Sequence, residues 1–172
     1  MILVVAGLHE RPFDRLMKAV ARLDLEESMV VQRGSSRVEV PQAKTFASLE
    51  TGRLQQAYKQ ARLVIGQASP GVLFDSLDAG KRPILVPRQA GFGEHVDNHQ
   101  VDFARFVQDR ARIVWDVEEL PAVVAGWPAQ GLPGEAAPVC EEVVRDIGRI
   151  VEATAKTPGR GARATWRLWG RR

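Results

Sequence analysis

Residues 2–6 are an unbroken apolar run, Ile2 to Ala6, rich in β-branched side chains, and Gly7 ends it. Such a run predicts a parallel strand covered on both faces. Pro12 then marks a helix start, and Phe13, Leu16, Met17, Val20 and Leu23 follow at helical spacing. Residues 28–32 predict a second strand and 37–40 a third, with 41–48 as loop. Leu54, Ala57, Tyr58 and Ala61 mark one face of a helix, and residues 63–66 form another buried strand. Residues 71–79 predict a short helix that Gly80 closes. A strand at 83–87 has a proline at each end, and 96–107 predicts a helix with Val96, Phe103 and Val107 inward. A strand at 113–115 and a short helix at 118–125 complete the alternation.

Alternating β and α elements predict an α/β fold: a Rossmann-like parallel sheet with helices on both faces, spanning residues 1–125. Residues 126–138 are rich in Gly and Pro and read as a connector. Val139, Val143, Ile147 and Val151 give residues 139–156 an amphipathic helical pattern. Residues 157–172 form a basic Trp/Arg tail without apolar periodicity.

The chain has 172 residues, of which 45% are hydrophobic and 26% charged, which suits one soluble domain and a tail. A single cysteine, Cys140, supports no disulfide framework, so a reducing, cytoplasmic setting is expected. No apolar run approaches the ~18 residues of a membrane span. The formal net charge is +3, yet residues 156–172 hold six basic side chains and no acid. The body is therefore mildly acidic, which argues against a nucleic-acid-binding surface there. The tail mixes Trp166 and Trp169 with arginines, as membrane-surface segments do. A clamp on a partner, or disorder, fits the same composition.

In open α/β sheets, ligands sit beyond the carboxyl ends of the strands. Three segments belong there: 7–11, 66–71 and 88–100. In the second, the small residues of Gly66, Gln67, Ala68, Ser69, Pro70 and Gly71 precede a helix start, whose free N–H groups and dipole suit a diphosphate. A tight turn without a ligand is the plain alternative. Asp75, about one turn on, suits ribose hydroxyls, or is a dipole-favoured surface acid. In the third, Glu94, His95, Asp97, Asn98, His99 and Gln100 are six polar residues in seven, suited to sugar hydroxyls. A solvated helix start capped by Asp97 is the alternative. His95 and His99 are also spaced as a metal pair, but no third ligand is evident, so neither metal nor cofactor is expected.

Together, Ala57 and Tyr58, the run 61–71, Asp75, and residues 76–87 resemble the donor-binding half of glycosyltransferase family 28. That family includes the peptidoglycan N-acetylglucosaminyltransferase. The stretch from Pro87 and Arg88 through Gly93 to Gln100 is closer still to the small subunit of two-component exopolysaccharide glycosyltransferases, as is the start, residues 5–16. The resemblance implies the C-terminal half of a two-domain GT-B fold. It implies a UDP-sugar donor, and a membrane-associated partner that supplies the acceptor-binding half for a lipid-linked acceptor. The remaining residues are too few to hold that half. The chain is then expected at the inner face of the plasma membrane, unable to act without its partner.

Residue by residue, the resemblance puts Gly7, Ser69, Pro70 and Gly71 at the diphosphate. It puts Asp75 where the family has a ribose-binding glutamate, and His99 and Gln100 at the sugar hydroxyls. The backbone near Phe46 and Ala47 falls at the uracil. The general base belongs to the partner, and His9 and His95 are the imidazoles to test here. The chain departs from the family's common His-Ala-Gly-x-Gly with Gln67, Ala68, Ser69, Pro70 and Gly71, and from its Gly-Thr with Gly7 and Leu8. Asp75 is a methylene shorter than Glu, and Pro70 lacks a backbone donor. A donor fold that only stabilises or regulates its partner is the second reading. A stand-alone epimerase or dehydrogenase is disfavoured by the lack of a G-x-G-x-x-G after the first strand.

Overall fold

The computed structural model describes residues 1–134. The expected helix at 139–156, the tail and Cys140 lie outside the described residues. Six strands form one all-parallel sheet: β1 (Ile2–Val5), β2 (Met29–Gln32), β3 (Ala43–Phe46), β4 (Leu63–Gln67), β5 (Ile84–Val86) and β6 (Arg112–Ile113). Their order is β3-β2-β1-β4-β5-β6, the doubly wound arrangement whose strand order reverses between β1 and β4. The helices are α1 (Asp14–Ala21), α2 (Thr51–Gln60), α3 (Pro70–Asp78), α4 (His99–Phe106) and α5 (Leu120–Ala125). Short 3-10 turns occupy Ala90–Phe92 and Val117–Glu119. The expected α/β architecture is the observed one.

Strand alternation divides the core between the two faces. Ile2, Val4, Met29, Val31, Leu63, Ile65, Ile84 and Val86 are buried with Phe13, Leu16, Met17 and Val20 of the first helical segment and Leu120 and Val124 of α5. Leu3, Val5, Val64 and Leu85 are also buried, outside that cluster, on the other pleat. There α3 closes on β4 so tightly that a Cβ on Gly66 would lie 2.8 Å from Val72 Cγ1.

Four elements differ from expectation. The third strand is Ala43–Phe46, in the stretch read as loop, and residues 37–40 are not strand. β3 is an edge strand paired only with β2, so its Ala-Lys-Thr-Phe sequence lacks the apolar run of an inner strand, while Val40 is buried without a ladder. α1 begins at Asp14, two residues beyond Pro12. α4 begins at His99 and leaves Val96 63% exposed, because the chain before it is taken up by a 3-10 turn and by Gly93 at φ 71°. β6 ends at Ile113 and leaves Trp115 exposed.

The β1 and β2 ends meet backbone to backbone. Gly34 has φ 60°, and a Cβ there would lie 2.2 Å from the Gly7 carbonyl oxygen. Gly34→Ala is therefore expected to cost about 2–4 kcal/mol in urea unfolding, through a positive φ and a clash with backbone that cannot swing away. Gly52→Ala, in α2 with nothing within 4 Å of the added Cβ, should instead stabilise by about 0.4–1 kcal/mol.

Candidate functional site

Parallel pairing puts the carboxyl ends of all six strands on one rim. The loops after β1, β4 and β5 therefore share it, at the reversal of strand order where α/β sheets bind ligands. The group that joins them is Arg88, which follows β5 and is fully buried. Its guanidinium donates to Ala6 O at 2.8 Å, Arg11 O at 2.9 Å, Glu94 O at 3.0 Å and Gln67 Oε1 at 2.9 Å. It also lies 4.6 Å from the Phe13 ring centroid. Burial lowers its pKa to about 10, an effect that Glu94 opposes, and it remains a cation at neutral pH. One side chain thus satisfies carbonyls of the β1 end, the following loop and the 94–100 stretch.

Gln67 is the second junction. Its Oε1 accepts from Arg88 Nε and, at 3.3 Å, from Gln100 Nε2. Gly7 has φ 81°, which favours glycine, and a Cβ there would lie 2.2 Å from Gln67 Nε2 and so displace that amide. Gln100 is buried, and its Oε1 accepts from the Arg88 backbone N–H at 3.0 Å. Glu94 is buried too, with both carboxylate oxygens on Arg15 at 2.9 Å and one accepting from Gln89 N–H at 3.0 Å. Among the residues expected at sugar hydroxyls, Glu94 and Gln100 therefore brace the loop from inside. Asn98 Oδ1 likewise accepts from Ala90 N–H at 3.0 Å.

His95 and His99 of that stretch form a histidine cluster with His9. His95 lies between a tilted His9 ring and an edge-on His99 ring, with ring centroids 4.3 Å away on each side. His99 Nδ1 lies 2.5 Å from Asp97 Oδ1, which also accepts from His99 N–H at 3.2 Å. His95 Nδ1 is buried, without a hydrogen-bond partner, and 3.4 Å from the same oxygen. Asp97 is thus a third group that the His95–His99 spacing alone did not reveal. His9 Nδ1 accepts from Arg11 N–H at 3.1 Å, and Arg11 Nη1 donates to His95 O at 2.6 Å. Burial, then the His99 and His9 rings, push the His95 pKa down. The cluster's one carboxyl is held below its usual range by hydrogen bonds from His99.

The small-residue turn is built differently. Ser69 caps α3, its Oγ accepting from Val72 N–H at 3.4 Å, and Pro70 sits at the first helical turn. Ser69 N–H donates to Gln67 O, and Leu73 N–H to Ser69 O. Gly71 is exposed, with open space where a Cβ would go. Asp75 lies further along α3 and lines a cavity of about 310 Å³ with Gln55, Tyr58, Lys59, Asp78 and Ala79. Burial and then Asp78 raise its pKa, and burial and Asp75 raise that of Tyr58. At the β3 end, Phe46 O and Ala47 O already accept from Arg33 and Gly34 N–H.

Residues 1–124 match the model of the glycosyltransferase family 28 C-terminal domain. The chain belongs to that family. No curated protein matches the sequence significantly. Among solved structures, MurG of Acinetobacter baumannii is similar at 23% identity and a TM-score of 0.51, over 72% of this chain and 40% of that one. The kitacinnamycin glycosyltransferase (16% identity, TM-score 0.49, 89% of this chain and 40% of that one) is another. So is the calicheamicin glycosyltransferase CalG4 (14%, 0.49, 87% and 43%). The sheet is that of the C-terminal half of a GT-B glycosyltransferase. The chain spans about 40% of the length of the first two structures and 43% of CalG4.

Within this family 28 domain, the three loops that the sequence places beyond the strand ends do share one rim, and Arg88, Gln67, Arg15 and Phe13 hold them there, which the sequence pattern does not show. The usable signal was an arginine directly after a buried strand, with a glutamate six residues on. Arg88→Met should lower stability by about 3 kcal/mol or more, because four acceptors, two of them in fully buried bonds, lose the Arg88 donor. Arg88→Lys, one ammonium against four acceptors, should recover less than half of that in the same chemical unfolding. His95 in the fold binds its proton less tightly than in the unfolded chain. Its contribution is complete above the ordinary value of 6.5 and is lost as pH falls through the lower folded value. His95→Gln should flatten that limb of the stability–pH curve.

Proposed function

We propose that this chain is the donor-binding subunit of an inverting glycosyltransferase. It moves a sugar from a UDP-sugar to a lipid-linked acceptor in polysaccharide synthesis, and a separate membrane-associated subunit supplies the acceptor-binding half. The observation that carries this reading is the meeting of the β1, β4 and β5 loops around Gln67 and Arg88 at the switch point of a family 28 sheet. A rim fixed before ligand arrives is what leaving-group stabilisation needs, since donors already in place cost no reorganisation during reaction.

In this reading the diphosphate lies over Gly7 and the α3 start. Asp75, further along the same helix, takes the ribose hydroxyls, and the hexose faces His99 and the outer edge of residues 94–100. The acceptor hydroxyl attacks the anomeric carbon as the diphosphate leaves, and its proton goes to a base on the partner. No helix among the described residues is long and apolar enough to cross a membrane. In this reading membrane recruitment belongs to the partner, or to the tail.

A second reading, a donor fold that only stabilises its partner, is favoured by one observation. Ser69 and Pro70 use or remove donors that a glycine-rich turn would offer a phosphate. Calorimetry on the full chain with UDP-glucose, UDP-galactose and UDP-N-acetylglucosamine, with and without its co-purified partner, separates the two. Saturable binding of one donor, weakened about tenfold or more by Asp75→Asn, is expected, since a ribose-bound carboxylate makes charge-assisted bonds. Absence of binding in both conditions would leave only the second reading.

A further inference from the structure

We propose that His95, Asp97 and His99 form a binding site for one divalent first-row transition ion of the zinc class. The three residues alternate along the loop that enters α4, and one ligand atom from each lies within 4.8 Å of the others. A hydrogen bond between Asp97 and His99 accounts for one ring of the pair. It leaves His95 Nδ1 a buried nitrogen with no hydrogen-bond partner, 3.4 Å from the oxygen that His99 already holds. A cation between them satisfies all three groups.

The dimensions suit such an ion. Metal–ligand distances of about 2.0–2.2 Å place neighbouring ligand atoms about 3.3 Å apart around a tetrahedral centre. The His95–Asp97 separation of 3.4 Å already has that value. The His99–Asp97 separation of 2.5 Å must open by under about 1 Å. Both side chains are more than half exposed, 56% and 60%, so a small χ rotation provides it. His95, only 11% exposed, is the fixed member. Two imidazoles with one carboxylate select zinc-like ions over magnesium, which prefers oxygen ligands. His9 is excluded through Nδ1, which accepts from Arg11 N–H.

Three protein ligands leave at least one coordination position open, and the exposed side of Asp97 and His99 faces solvent. Binding of the ion stands independently of the donor-binding reading. It departs from the cofactor-free expectation of the sequence.

The test is a zinc titration of the tag-free full chain, stripped of metal by chelator and then dialysed, in competition with a chromophoric chelator. Cobalt absorption in the visible range serves as a second readout. One equivalent with a dissociation constant at or below about 10 µM is expected, together with a low-symmetry cobalt spectrum. Asp97→Ala and His99→Ala should each weaken binding about tenfold or more, and His9→Ala less than about threefold. Both weakening substitutions are at exposed positions, and far-UV circular dichroism confirms that each variant is folded. Binding weaker than about 100 µM overturns the proposal, as does unchanged affinity in the Asp97→Ala/His99→Ala double variant. UDP-sugar calorimetry in excess chelator is run alongside. Donor binding without metal binding removes only the ion, and metal binding without donor binding removes only the donor reading.

Discussion

A buried guanidinium that no solvent reaches must have its donors satisfied by protein, and Arg88 meets this demand with acceptors from three separate segments. Its planar, fixed fork of five N–H donors makes the solution geometric: each acceptor must lie in a set direction. The β1 end, the loop at Arg11, the amide of Gln67 and the chain at Glu94 are positioned by that requirement. Phe13 covers one face of the fork. Glu94 is then held by Arg15, which also donates to Pro87 O, so a second guanidinium repeats the device at the loop's outer side. The candidate site is therefore mostly a consequence of burying one charge at the end of a strand.

Strands read easily where both faces are covered. β1, β4 and β5 are apolar at nearly every position, and their places in the sequence and in the sheet agree. β3 was invisible for the same reason in reverse: an edge strand with one neighbour alternates with lysine and threonine, which local pattern cannot tell from a loop. The α4 start was misplaced because Val96 fits helical periodicity but lies on an exposed turn. At the site, the polar richness of residues 94–100 was plain, and its division of labour was not. Which side chains turn inward depends on Arg88 and Arg15, and no spacing rule couples residue 15 to residue 94. Asp97 fits sugar hydroxyls or a helix cap on sequence alone, and its approach to both His95 and His99 is visible only in the fold.

The α3 turn shows how one sequence change carries through the structure. A serine at position 69 caps the helix with its own hydroxyl, and a proline at the first turn is pre-organised for it. Both make α3 a better-ended helix. Both also reduce what that end offers an anion, because one N–H is missing and another is engaged. Helix stability and anion affinity compete here for the same few backbone groups.

Gln67 sits where the β1, β4 and β5 loops meet. A carboxamide neither gains nor loses a proton in water's ordinary range, so Gln67 itself keeps one charge state from acid to alkaline conditions. Its orientation is constant as well: the oxygen must face the Arg88 donor, which turns the NH₂ toward Gly7. Any acid–base inflection in the behaviour of this surface has to originate elsewhere than at its central residue.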